Sequence, residues 1–175
     1  MSRYDKIKNL PIYKKAALIF QLVDSLVASL PDDDDYLQDT KNFMRTDAMI
    51  MQAKIVGAES GDLYSIRMQN AALIREHAMH LYVQVGSLRF HESYKDLEYV
   101  KLIRKEIEEF RLLFLAWVNN FDRTNHIWDE WGLFNPPGAI EPDEEENFKD
   151  DDFDIDDFLN DFSDDDDDDD DDDDV

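Results

Sequence analysis

SYKDLEYVKLIRKEIEEFRLLFLAWVNNFD, residues 93–122, is the stretch that decides the fold class. Leu97, Val100, Ile103, Ile107, Phe110, Phe114, Trp117 and Phe121 follow one another at steps of three and four. With 3.6 residues to a turn, that spacing keeps them on one stripe of an α-helix. The opposite face carries Lys101, Arg104, Lys105, Glu108, Glu109 and Arg111, with Arg104/Glu108 and Lys105/Glu109 one turn apart. Neither Gly nor Pro interrupts the run. A helix of about 28 residues is about 42 Å long. It can bury its stripe only against other long helices, so the stretch predicts a helical bundle.

The chain upstream supplies three such partners. Pro11 suits a helix start, and Ile12, Ala16, Ile19, Phe20, Val23, Leu26, Val27 and Leu30 form the stripe of a first helix over 12–30, stopped by Pro31. A second helix is expected over 36–59, with Leu37, Thr40, Met44, Ala48, Met51 and Ile55 on one face and a C-terminal signal at Ser60-Gly61. A third, over 63–85 and capped by Asp62, carries Leu63, Ile66, Asn70, Ile74, Ala78, Leu81 and Val85, with Tyr64, Ala71 and Tyr82 on its flank. No alternating Val/Ile/Thr-rich segment calls for a strand. All connections are short, so neighbours should pack antiparallel. The expected fold is all-α: an up-down-up-down four-helix bundle over 12–122, a basic segment before it (1–11), an aromatic and Pro-Gly linker after it (123–140), and a disordered acidic tail (141–175).

The net charge of −25 belongs almost wholly to that tail. Residues 141–175 hold 23 acids and one lysine, a balance of −22, which leaves 20 acids and 17 bases, or −3, for residues 1–140. So little apolar area among so many like charges cannot offset the entropy of ordering. One island interrupts the tail: Phe148, Phe153, Ile155, Phe158, Leu159 and Phe162. Within it Ile155, Phe158, Leu159 and Phe162 have the i, i+3, i+4, i+7 spacing of a helix that folds into a groove. Eleven aspartates, 164–174, then precede Val175. Zero cysteines exclude disulfides and thiolate metal sites. No apolar run reaches membrane-spanning length and no apolar signal core is present, so a soluble, cytoplasmic protein is expected.

Chemistry is sparse. There is no Gly-x-Ser-x-Gly, no Walker loop and no Gly-x-Gly-x-x-Gly. The four carboxylates Asp32 to Asp35 are read as the charged cap of the second helix rather than as a cation site. His77 and His80 stand three apart beside Glu76. A di-iron bundle needs a Glu-x-x-His pair on each of two helices and a Glu on each of the others, whereas Glu76 precedes His80 by four. These histidines are therefore read as partly exposed helix residues. Catalytic residues, cofactors and metals are not expected, and the chain is not read as an enzyme.

Binding is the remaining class. Trp128, Trp131, Leu133 and Phe134 either pack back on the bundle end or form an aromatic patch for a partner. The residues assigned to partner binding are Trp117, Phe121, Trp128, Trp131, Phe134, Phe153, Ile155, Phe158, Leu159 and Phe162. A nucleic-acid-associated accessory role is the alternative, resting on Lys14, Lys15, Lys101, Arg104, Lys105 and Arg111. The charge balance works against it electrostatically.

Three stretches carry a family resemblance: LPIYKKAALIFQLVDSLVASLP (10–31), DAMIMQAKIVGAESGDLYSIRMQNAALIREHAMHLYVQVGSL (47–88) and YVKLIRKEIEEFRLLFLAWVNNFD (99–122). In helix lengths, order and the small-residue end of the second helix (Ala53, Ile55, Gly57, Ala58, Glu59), the chain resembles the four-helix bundle proteins related to the rRNA intervening-sequence proteins. The proline of that family's second-helix motif is absent from Met51–Ser60. The resemblance implies an antiparallel bundle that assembles as a homo-oligomer, with a pentameric barrel as the family habit, and no enzymatic activity. A related accessory protein of diversity-generating retroelements binds a reverse transcriptase and nucleic acid through a basic surface. The resulting expectation is a non-catalytic, self-associating interaction module whose acidic tail contacts a basic partner or masks a basic surface.

Overall fold

In the computed structural model, which describes residues 2–32, 35–91 and 94–142, every regular element is helical. Ser2 opens the first element through a capping box. Its hydroxyl accepts from the Asp5 amide at 3.1 Å, while the Asp5 carboxylate accepts from the Ser2 amide at 3.0 Å. The basic segment is thereby a short helix, α1 (Arg3–Asn9), which buries Ile7. Pro11 then stands in the first turn of α2 (Pro11–Ser29), where its missing N–H costs nothing. Next come α3 (Asp35–Glu59), α4 (Tyr64–Ser87), a single 3-10 turn (Leu88–Phe90) and α5 (Leu97–Asn119). No helix among the described residues is long and apolar enough to cross a membrane.

The four long helices form a ring in which α2 touches α3 and α5, and α4 touches α3 and α5. Pairs of facing residues fix the directions. Along α3 and α4, Asp47 meets His77, Gly57 meets Asn70 and Glu59 meets Arg67. One index rises as the other falls, so the two helices are antiparallel. The same holds for α2 and α3, where Asp24 pairs with Arg45 at 2.8 Å and Asp32, beyond the end of α2, pairs with Lys41 at 2.6 Å. Gly57 is where α3 and α4 come closest: a Cβ there would lie 3.0 Å from Asn70 Oδ1.

The core is continuous from Ile7 to Phe110, and its largest sealed side chains are Ile19, Leu26, Leu37, Met44, Met51, Ile55, Ile74, Leu81, Leu88, Ile103 and Phe110. Thr40 is buried beside them on α3. Two lysines point towards this interior with partners of their own. Lys41 is buried and donates to the Pro31 carbonyl at 2.8 Å and to Asp32 at 2.6 Å, closing the turn between α2 and α3. Lys15 of α2 reaches Glu106 and Glu109 of α5, each at 2.6 Å. Asp32 thus serves a lysine rather than an open helix end, and Asp33 and Asp34 lie outside the described residues.

Element starts and one stripe differ from the sequence reading. Leu97 begins α5 and is exposed, and the buried face of the helix starts at Val100. Tyr94 is buried just before it, and burial pushes its phenol up to about 12. Asp62 does not cap α4. It lies 3.8 Å from Arg3, and the first amide of α4, that of Tyr64, donates to the Asn125 carbonyl at 2.8 Å. In the first half of α4 the buried line runs through Tyr64 and Ala71, one position off the expected Leu63, Ile66 and Asn70. Ile66 is exposed, and Asn70 is half-buried, returning its amide to the Ile66 carbonyl at 2.9 Å. The compact body ends at Ala139. The tail and its apolar island lie outside the described residues.

Two predictions follow from the core. Ile103→Ala removes a fully buried side chain and should lower stability by about 2–5 kcal/mol in urea unfolding, with the denaturant slope unchanged. The two carboxylates beside Lys15 hold its pKa above the ordinary value, the Glu106 hydrogen bond contributing most. A raised folded value means that the stabilisation is complete below the unfolded pKa and is lost as pH rises through the folded one. The stability difference between wild type and Lys15→Met should therefore hold up to the ordinary lysine value and shrink as pH rises through the higher folded one, as read by chemical denaturation across pH.

Candidate functional site

Three surfaces gather the residues that carry binding chemistry. The first begins at the end of α5. Phe110, Phe114 and Trp117 on the helix and Phe121 just past its end follow one another with ring centroids 6.3, 6.0 and 4.7 Å apart, the last pair edge-on. Glu59, at the end of α3, accepts from Trp117 Nε1 at 2.7 Å and pairs with Arg67 of α4. The Arg67 guanidinium lies over the Phe121 ring at 4.1 Å. Phe121 is only 4% exposed and forms a small second core with Tyr64 and Ala71. The structure thus buries Phe121 and half-buries Trp117, whose indole is engaged where three helices meet. The 3.6-residue stripe marked them as apolar, but it carries no sign of the carboxylate and guanidinium that close over them.

The chain past α5 is a built loop. Asp122 accepts from the Thr124 amide at 2.9 Å and its hydroxyl at 2.7 Å, turning the chain. Asp129 then accepts the amides of Trp131, Leu133 and Phe134 at 3.1, 3.0 and 2.9 Å. These bonds, that of Phe134 foremost, hold its carboxyl below the usual range. Asn135 locks the same residue from the other side, accepting from the Asp129 amide at 2.8 Å and donating to its carbonyl at 2.9 Å. Gly132 permits the tight winding with φ of +69°. Pro136–Ala139 close the segment in a type II turn, with Pro137 followed by Gly138 at φ +83° and a 3.0 Å bond from the Ala139 amide to the Pro136 carbonyl. Trp131 is left 87% exposed and Leu133 72%, while Trp128 and Phe134 are half-buried. These four line a shallow hollow with Ile66 and Ile127.

The second surface lies between α4 and α5. A groove of about 420 Å³ has Ala78, Tyr82, Ile107, Phe110 and Phe114 in its lining. Met79, Val83 and Leu115 line it as exposed side chains, Val83 at 68%, and Arg75, Glu108 and Arg111 also border it. Sequence reading passed over this face, because Met79, Val83 and Leu115 fall outside the buried stripes of their helices.

The third gathers Asp47, His77 and His80. Asp47 sits on α3, is 6% exposed, and its Oδ1 lies 2.6 Å from His77 Nδ1 on α4. Its second oxygen, Oδ2, is buried without a hydrogen-bond partner. His80, one turn on, is exposed and stands edge-on to His77 with ring centroids 6.2 Å apart. One ligand-capable atom from each of the three lies within 4.8 Å of the others. The histidine pair was legible in sequence. Asp47, thirty positions upstream, was not, since only the antiparallel register of α3 and α4 brings it there.

The basic residues do not form an open strip. Lys15 is held by two glutamates, Lys101 by Glu98 at 2.6 Å, Lys105 by Glu109 at 3.7 Å and Arg111 by Glu108 at 3.0 Å. Arg104 stacks on the Tyr82 ring at 4.0 Å, and Lys14 is exposed.

The Asp129 arrangement sets a testable expectation. Asp129→Ala should abolish amide-exchange protection at Leu133 and Phe134, while core amides on Ile74 and Ile103 keep theirs. Because the carboxyl is depressed, acid should reproduce the loss in wild type only as pH falls through its folded value, below the ordinary carboxylate range.

No family model matches this chain, and no curated protein or solved structure matches it either.

Proposed function

We propose that this chain is a non-catalytic helical-bundle protein that self-associates and serves as a protein-interaction module. The observation that carries this reading is the apolar groove between α4 and α5, which leaves Met79, Val83 and Leu115 in water. Contiguous exposed apolar surface of this kind marks association sites. The occupant is a second copy of the chain. Arg75 and Arg111 stand with Glu108 at the same groove, and a border holding both signs can match itself when two identical faces meet across a two-fold axis. The resemblance to the four-helix bundle proteins also favours a homo-oligomer, although its pentamer would join unlike faces head to tail instead of one face across a two-fold axis.

A second contact surface is the loop that presents Trp131 and Leu133, suited to a partner with an apolar recess. The tail, with 23 acids and one lysine over residues 141–175, suits a basic partner. Masking of the bundle's own cations has less support, since five of the six assigned basic residues already have acidic or aromatic partners. Those same pairings weaken the nucleic-acid reading.

Light scattering on the full chain tests the proposal. The wild type should be oligomeric at micromolar concentration, and Val83→Asp with Leu115→Asp should shift it towards monomer while circular dichroism keeps its helical signal. A monomeric wild type would sink the reading.

A further inference from the structure

We propose that Asp47, His77 and His80 form a binding site for a borderline divalent cation of the zinc type. Burying a carboxylate is costly unless both oxygens are served. Asp47 has one oxygen on His77 and the other sealed in the α3–α4 seam with no donor. A cation between Asp47 and the two imidazoles supplies what that oxygen lacks.

The donor set selects the ion. Two imidazoles and one carboxylate suit Zn²⁺, Co²⁺, Ni²⁺ or Fe²⁺, whereas Mg²⁺ and Ca²⁺ are held by oxygen alone. Histidines three apart lie on one face of α4, so both rings can turn to the same point. Zinc bonds of about 2.0–2.2 Å put tetrahedral donors roughly 3.3 Å apart. The Asp47–His77 pair at 2.6 Å must open to meet that spacing, and all three ligand atoms already lie within 4.8 Å of one another. His80 is exposed and has the rotamer freedom to complete the movement. The other two ligands are fixed on helices that already pack together. Three protein ligands leave a fourth position open, and the exposure of His80 puts it towards solvent. This is the arrangement of a site that exchanges a water or a small ligand, unlike a closed structural site.

The aspartate-rich C-terminus also attracts cations, so the experiment must separate the two. It uses the full chain, with Co²⁺ and Zn²⁺ as probes in the presence of a large excess of Mg²⁺, which occupies oxygen-only positions. One Co²⁺ per chain should bind and give the visible absorption of a low-coordinate site with nitrogen ligands, and Zn²⁺ should displace it. Zn²⁺ should also raise the thermal midpoint, because it binds the folded state selectively. His80→Ala removes an exposed side chain and leaves the core intact. It should weaken binding by more than about tenfold and cancel the thermal shift. Asp47→Asn should do the same, and His126→Ala should do neither. Absence of binding under excess Mg²⁺ overturns the proposal. So does binding that is equal in wild type and His80→Ala, which would assign the ion to the tail or to other histidines.

Discussion

Among the described residues, Glu59 ties four helices to one position. It is the last residue of α3, its carboxylate takes the Trp117 indole of α5 and the Arg67 guanidinium of α4, and its backbone carbonyl takes Arg3 Nε from α1 at 3.1 Å. Charge-assisted bonds of this sort are stronger and more directional than neutral ones, and they fix rotation as well as distance. Once Arg67 faces Glu59, the antiparallel run of α4 along α3 places Asn70 on Gly57 and His77 on Asp47. Once Trp117 faces Glu59, α5 ends against the α3–α4 connection and Phe121 is drawn under Arg67.

That rotation has consequences for the surfaces. α4 contacts two neighbours with different sides. His77 reaches α3, while Ala78 and Tyr82 meet α5, leaving Met79 and Val83 beyond the second contact. Its average amphipathicity is therefore faint, although its buried line runs without a gap from Ala71 to Val85. A helix that serves two neighbours and a groove has few purely polar positions left. The same reasoning explains why the aromatics at the end of α5 are buried or half-buried while Trp131 in the loop after it is exposed.

What was legible in the sequence follows from this division. The four long helices, their order and the buried stripes of α2, α3 and most of α5 came from periodicity, because each of those helices buries one continuous face; the short α1 did not. The stripe of α4 was misplaced by one position over Leu63, Ile66 and Asn70, where Tyr64 and Ala71 turn inward under Arg67 and Phe121. The helical state of residues 3–9 was written in Ser2 and Asp5, a capping box too short to carry an apolar period of its own. The aromatics beyond α5 were visible as a group, but their sorting was not. Trp117 is consumed by Glu59 and Trp131 is not, and that depends on a carboxylate 58 positions away. Asp47 with His77 and His80 has the same character: a juxtaposition across two helices, which no local spacing encodes.

The Asp129–Asn135 clasp carries a consequence for recognition. A surface tryptophan on a slack loop must give up chain entropy when it docks, and that loss is subtracted from the contact. Around Trp131 the cost has been met during folding. Three amides end on one carboxylate, Asn135 closes the ring, and Gly132 takes the one backbone conformation that other residues resist. The indole is presented in advance on a stiff mount, so a partner meeting it gains the full contact with little reorganisation.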